Sequence, residues 1–240
     1  MKCLSTSGYR NTKKVLKKLL GREQFEEKDW LDFLVNPQTI ISPLFSFLCS
    51  TNLSERWHAI SALGIAVARL SQTDMEAARV VIRRFMWQLN DESGGIGWGC
   101  PEAMGEALRN SKPLAREYSH ILLSFVDPKG NMLDNENLVE AALWGLARVA
   151  EKHPDTLQRA TEVMPAYINQ TKTEVCCYSS LTVLFLEQPK RVDYRRKLHD
   201  IIQQPVFSNT MHFYWNGKIL SLTAREIIQL FLEDDKPEAS

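Results

Sequence analysis

Residues 89–108, LNDESGGIGWGCPEAMGEAL, indicate the fold because their closing pattern recurs twice in the chain. HAISALGIA around Gly64 and VEAALWGLA around Gly145 carry the same small residues that surround Gly105. The three glycines are spaced by about 40 residues, a period typical of stacked helical pairs whose neighbours bury a shared core. The sequence therefore predicts an all-α protein built as a right-handed α-α superhelix of about four to five helical pairs.

Helical periodicity continues on both sides of this stretch. From Trp30 onward, apolar residues recur every three or four positions, and short polar breaks such as Asn36-Pro37 separate the segments. At the N-terminus, TKKVLKKLLG predicts a basic capping helix that begins at Thr12 and ends at Gly21 in the left-handed conformation. PDTLQRATEVMPAYINQ is predicted to be one helix, with Pro154 in its first turn.

The last residues of the chain depart from the helical pattern. Aromatic and β-branched residues flank Asn216-Gly217 in HFYWNGKILSL, which predicts a small β-hairpin with a two-residue turn. Thr223 is expected to cap a closing helix, with Glu226 completing a capping box. Such a hairpin and helix would cover the exposed end of a solenoid.

The pattern that runs through the opening stretch resembles the HEAT-repeat superfamily, on Leu89, Asp91, Ile96, Glu102, Ala103, Met104 and Gly105. More closely, it is similar to the bacterial branch often labelled phycobilisome-lyase-like, and LNDESGGIGWG is similar to a segment of an uncharacterised bacterial HEAT family. The resemblance covers residues 38–190 and implies a HEAT-type fold, and the uncharacterised family implies that fold without an activity. It also implies that Asp91 caps the second helix of a repeat. The predicted organisation is therefore N-terminal basic and capping helices (1–37), HEAT-like repeats (38–204), and a hairpin with a capping helix (205–240).

Residues 94–99 depart from the HEAT pattern. Gly97 and Gly99 stand where alanines normally stabilise a helix, and Pro101 lacks the N–H that a helix interior needs. The helix therefore either begins near Pro101 or runs from about Gly95 with a defect. The glycines are interpreted either as a packing device for neighbouring bulky side chains or as part of a recognition surface. Gly64 and Gly145 are expected to be points of close approach between helices.

Composition limits the classes of function. The chain has 29 basic and 29 acidic residues, which argues against nucleic-acid binding because such proteins usually carry a basic excess. Its five cysteines are odd in number and form no CxxC motif, a pattern that favours a reducing compartment. The N-terminus lacks the apolar run of a secretory signal, and no apolar run is long enough to span a membrane. The predicted location is the cytoplasm.

Catalytic and ligand-binding motifs are weak. GGIGWG follows a helix and lacks the lysine of a phosphate-binding loop. The carboxylates Glu102 and Glu106 lie four residues apart with no histidine beside them, so they are interpreted as solvated or paired with nearby arginines. Cys176 and Cys177 are expected to be small buried residues, because no second pair completes a tetrahedral metal site. The sequence predicts no metal or cofactor and favours a non-enzymatic role.

The leading interpretation is a HEAT-like scaffold or adaptor that binds another protein through its concave face. Tryptophan and arginine dominate interface energetics, so the predicted contact patch combines them with neighbouring acids: Arg84, Trp87, Asp91, Glu92, Trp98, Glu102 and Glu106. One alternative is an accessory or lyase-like protein that holds a tetrapyrrole or a similar cofactor, as the family label implies. A second is a HEAT-type nucleic-acid binder. The partner's identity and the oligomeric state stay open.

Overall fold

The computed structural model describes residues 9–30, 36–90, 97–186 and 197–233, and most of these are helical. The helices are α1 (Tyr9–Leu20), α2 (Gln38–Phe45), α3 (Leu53–Thr73), α4 (Met75–Leu89), α5 (Cys100–Asn110), α6 (Lys112–Ser124), α7 (Glu136–Lys152), α8 (Ala160–Val163), α9 (Pro165–Ile168), α10 (Thr173–Leu186), α11 (197–201) and α12 (Ala224–Glu233). Short 3-10 turns lie at Glu27–Trp30, Pro154–Thr156 and Pro205–Ser208. Strands β1 (Thr210–Trp215) and β2 (Lys218–Thr223) form a two-stranded sheet. The helical class and the C-terminal hairpin are confirmed, and the superhelix stays a prediction.

The described residues form two compact units. The first contains those up to Tyr118 together with the hairpin tip, Tyr214–Ile219. The second contains those of Ser119–Phe213 and those from Leu220 onward. The three-part division into 1–37, 38–204 and 205–240 stays a prediction. No helix in the described part of the chain is both long and apolar enough to cross a membrane.

In the first unit, α3 packs closely along α5. Asn52 begins α3, because its side-chain oxygen accepts a hydrogen bond from the Glu55 N–H at 3.0 Å. A Cβ added at Gly64 would lie 2.8 Å from the carbonyl carbon of Glu106, so only glycine fits at this approach. The expected close approach at Gly64 is therefore confirmed, and Gly145 is buried within α7.

The N-terminal helix differs from its prediction at both ends. Helix α1 already includes Tyr9, so Thr12 lies inside the helix, where its side chain is buried, and it does not cap the N-terminus. Gly21 does not adopt the left-handed conformation, which among the described glycines occurs at Gly99 and Gly217. Leu16 and Leu20 are fully buried, and this anchors α1 in the first unit. Burial of one helix face thus outweighed the local capping signals.

The hairpin tip belongs to the core of the first unit. Asn216 and Gly217 have φ angles of 46° and 83°, as the predicted two-residue turn requires. Tyr214 is 1% exposed, its ring stacks on Trp57 with centroids 4.9 Å apart, and its hydroxyl is 2.7 Å from the Ser61 hydroxyl. The Phe25 N–H donates to the Gly217 carbonyl at 3.0 Å.

His58 lies beside this tip and is fully buried in α3. Its Nδ1 is 2.8 Å from the Leu20 carbonyl oxygen. Because a carbonyl can only accept, Nδ1 carries the proton in the neutral ring. Burial lowers the pKa of His58 below its usual value, against the opposing effect of hydrogen bonds to the Leu20 and Gly217 backbone. The folded protein therefore holds this imidazole neutral.

We expect the free energy of unfolding to decrease as the pH falls below about 6.5, because the unfolded chain then binds a proton that the folded His58 does not. The loss should grow until the pH reaches the lower, folded pKa. This loss of stability is measured by urea denaturation of the wild type and of His58→Gln at pH 7.5 and at pH 5.5. Between pH 7.5 and pH 5.5, His58→Gln should lose less stability than the wild type. The control His120→Gln, at an exposed position, should lose as much as the wild type. Equal losses in His58→Gln and the wild type would contradict a buried, neutral His58.

In the second unit, α7 and α10 pack together. The Tyr167 hydroxyl donates to the Val126 carbonyl at 2.6 Å. Cys176 and Cys177 are fully buried, as predicted, and burial raises the pKa of both thiols. Residues 154–168 are not one helix, because Pro165 cannot continue an α-helical ladder and the chain forms the short helices α8 and α9 instead.

The closing helix begins as its sequence predicts. The Thr223 N–H donates to the Glu226 carboxylate at 2.8 Å, and the Glu226 N–H donates to the Thr223 hydroxyl at 3.2 Å. The backbone hydrogen bond from Thr223 lowers the pKa of the Glu226 carboxyl. The capping box at the start of α12 is therefore confirmed.

Candidate functional site

The candidate site lies on the outer face of α4. Asp74 begins this helix, because its carboxylate accepts from the Ala77 N–H at 2.9 Å. The inner face is buried through Ala78, Val81, Ile82 and Phe85. The opposite face leaves Val80 54% exposed and Trp87 68% exposed, two helical turns apart. A tryptophan and a valine exposed on one side of the same helix make this side a candidate interaction surface.

Arg84 lies between these two residues on the same face. Its guanidinium stacks 3.8 Å from the centroid of the Phe45 ring, and its Nη1 donates to the Ser42 hydroxyl at 3.4 Å. Phe45 in turn packs on Phe85 with centroids 5.0 Å apart. The orientation of Arg84 is therefore set by its contacts with α2, and its guanidinium keeps further donors for hydrogen bonds.

The neighbouring arginines of α4 are engaged with carboxylates. Arg79 forms two parallel hydrogen bonds to Glu117, at 2.8 and 2.7 Å, and Arg83 pairs with Glu76. Hydrogen bonding to these guanidinium groups lowers the pKa of both carboxyls. Within the described residues, Arg84 forms no ion pair. In contrast to Arg79 and Arg83, its positive charge is therefore not neutralised by a described carboxylate.

Gly97 packs against the end of α4, and Gly99 packs against Leu48. A Cβ at Gly97 would lie 3.0 Å from the Gln88 carbonyl oxygen, and one at Gly99 would lie 2.9 Å from the Leu48 Cβ. Gly99 also has a φ of 76°, so alanine there would be strained and would not stabilise the helix. These contacts favour the packing interpretation of the two glycines.

Helix α5 begins directly after this turn. It starts at Cys100, and Pro101 lies in its first turn, where a missing N–H costs nothing. The late start near Pro101 is therefore confirmed. The Cys100 thiol donates to the Gln88 Oε1 at 3.0 Å, and burial raises its pKa. This places the start of α5 beside the end of α4.

The structure separates the predicted contact residues. Trp87 and Trp98 are exposed, Trp98 at 37%, and Arg84 is partly exposed. Asp91 and Glu92 lie outside the described residues. Glu102 and Glu106 are buried, at 8% and 2% exposure, so the interpretation of these two as solvated is wrong, and the alternative that they pair with nearby arginines stays a prediction. They face the interior because α5 packs closely against α3 at Gly64.

Val80 was missed in the sequence and belongs to the same face. Val80 lies seven residues before Trp87 and four before Arg84, and residues at that spacing share one side of a helix. This spacing is the sequence signal that could have identified Val80. The site shown by the structure is therefore Val80, Arg84 and Trp87, named the α4 face below. In the part of the chain that the structure describes, no group of three or more His, Cys, Asp or Glu residues could hold a metal ion.

The fold and the site define an α-helical protein with an exposed aromatic and arginine face on one of its helices. No protein-family model matches the chain, and no curated protein sequence matches it.

Proposed function

We propose that this chain is a non-enzymatic, HEAT-like scaffold that binds another protein through the α4 face. The observation that carries the proposal is the 68% exposure of Trp87. Burying an indole ring removes a large apolar area from water, and tryptophan and arginine are the residues whose truncation most weakens protein interfaces. Trp87 and Val80 would supply the apolar area, and Arg84 would supply an oriented donor.

Contacts at the repeat period support the HEAT-like part of the proposal. In the first unit, the Ser71 and Ser111 hydroxyls are 2.9 Å apart across 40 residues of sequence. In the second unit, Tyr167 hydrogen-bonds to Val126 across 41 residues. Contacts at this separation are expected where each repeat packs on the next.

A cytoplasmic location belongs to the same proposal. Cys49, Cys100, Cys176 and Cys177 are free thiols. Unpaired cysteines persist in reducing compartments, where thioredoxin and glutathione keep them reduced. A partner of the α4 face would accordingly be a protein of that compartment.

In the first test, Trp87 is replaced by a photo-reactive amino acid in the cell that makes the protein, so that light crosslinks it to any protein bound there. The matched position is Leu230 on α12, which is also apolar and 46% exposed. Crosslinked proteins are identified and quantified by mass spectrometry. We expect a discrete partner to be captured from position 87 and not from position 230. Equal capture from both positions would contradict the α4 face as the interface.

With the captured partner purified, Trp87→Ala should weaken its binding about tenfold or more. Leu230→Ala should leave the affinity unchanged. Both exposed substitutions should shift the free energy of unfolding by no more than about 0.5 kcal/mol, so a loss of binding would not reflect unfolding. An unchanged dissociation constant for Trp87→Ala would refute the proposal.

A further inference from the structure

A pocket of about 530 Å³ opens in the second unit, between the loop that precedes α7 and the N-terminal end of α10. Its volume lies in the range of sites that enclose small organic molecules. The pocket is formed by residues of the second unit alone, and none of them belongs to the α4 face. It is therefore a separate candidate for ligand binding.

The floor of the pocket is apolar and well anchored. Leu133, Val139, Tyr167 and Val175 line it, and each is buried in the protein apart from 6–8% of its surface. The hydrogen bond from the Tyr167 hydroxyl to the Val126 carbonyl fixes the tyrosine ring. These side chains are held in place by the surrounding core. An apolar ligand body could therefore pack on them without the entropic cost of ordering them, which favours binding.

The charged groups at the rim decide which ligand fits. Lys172 is engaged internally: its ammonium nitrogen lies 2.7 Å from the Glu140 carboxylate and 3.0 Å from the Asn137 amide oxygen. Asp134 and Glu136 are exposed, and Glu136 interacts electrostatically with Lys172 without forming a hydrogen bond or ion pair with it. Lys172 is thus already paired with Glu140, and the exposed carboxylates of Asp134 and Glu136 leave the rim of the pocket net negative.

We propose that this pocket binds a small organic cation, with an apolar body on the floor and an ammonium or guanidinium group facing Asp134 and Glu136. A carboxylate or phosphate ligand would be repelled by the net negative charge of the two exposed acids. This site lies outside the proposed α4 interface and does not depend on it.

The test compares three probes that share an indole ring and differ in the charge of the side chain. Tryptamine is a cation at neutral pH, tryptophol is its neutral alcohol, and indole-3-propanoate is an anion. Ligand-observed NMR titrations of the full chain give their dissociation constants. We expect tryptamine to bind about threefold or more tightly than tryptophol, and indole-3-propanoate to bind most weakly. The preference should shrink as the salt concentration rises.

Variants then locate the site. Asp134→Asn combined with Glu136→Gln should reduce tryptamine affinity to that of tryptophol and leave tryptophol binding unchanged. Glu162→Gln on α8 is the matched control, because Glu162 is an exposed acid outside the pocket. Thr171→Phe, at the exposed rim, should weaken both tryptamine and tryptophol by filling the entrance. Equal affinities of the wild type for the three probes, or a preference for tryptamine that survives the double substitution, would overturn the proposal.

Discussion

Tyr214→Ala should decrease the free energy of unfolding by about 3–5 kcal/mol, the range typical of removing a large buried aromatic side chain. The ring is 1% exposed and stacks on Trp57, so its removal leaves a cavity between the hairpin tip and α3. Urea denaturation monitored by circular dichroism measures the change. A decrease below about 1 kcal/mol would show that the tip does not contribute to the core of the first unit.

Tyr214→Phe is the matched control for this prediction. It keeps the ring and removes the hydroxyl that lies 2.7 Å from the Ser61 hydroxyl. We expect a decrease of only about 0.5–1.5 kcal/mol, as for the loss of one hydrogen bond. The difference between the two variants then separates the contribution of aromatic packing from that of the hydrogen bond.

Gly64→Ala should decrease the free energy of unfolding by about 1–3 kcal/mol, although alanine is the better helix former. The added methyl group would lie 2.8 Å from the Glu106 carbonyl carbon and 3.0 Å from the Ala107 nitrogen. These are backbone atoms that no side-chain rotation can move, so α3 and α5 must separate. An unchanged or increased urea midpoint would contradict the close approach.

A double-mutant cycle with Glu106→Gly tests the cause of that loss. Glycine at position 106 removes the side chain that faces Gly64, and the backbone contacts remain. We expect the substitution at Gly64 to cost less in the Glu106→Gly background than in the wild type, because residues in contact are not additive. Equal costs in both backgrounds would place the strain elsewhere.

The features that were correctly predicted depend on local backbone chemistry. The hairpin follows from the two positive φ angles that Asn216 and Gly217 adopt readily, and the capping box follows from the three-residue spacing of Thr223 and Glu226. The late start of α5 follows from Pro101, which is tolerated only in a first turn. None of these features requires knowledge of distant residues.

The features that were missed depend on long-range packing. A glutamate is normally solvated, and the burial of Glu102 and Glu106 becomes visible only when α5 is seen against α3. Thr12 carries a local capping signal, but burial of α1 in the first unit overrides it. For the candidate site, periodicity placed Arg84 and Trp87 together on one helix. It could not show that the opposite face, with Phe85, would be the buried one.

The membership of Tyr214–Ile219 in the first unit has a consequence for the order of folding during synthesis. Ser61 leaves the ribosome 153 residues before Tyr214, its hydrogen-bonding partner. At ordinary translation rates that interval lasts roughly 8–30 s, during which the nascent chain leaves Trp57 without its stacking partner. The N-terminal half therefore completes its core only after most of the chain has been translated. Until then, the Trp57 ring lacks the aromatic contact that closes this part of the core.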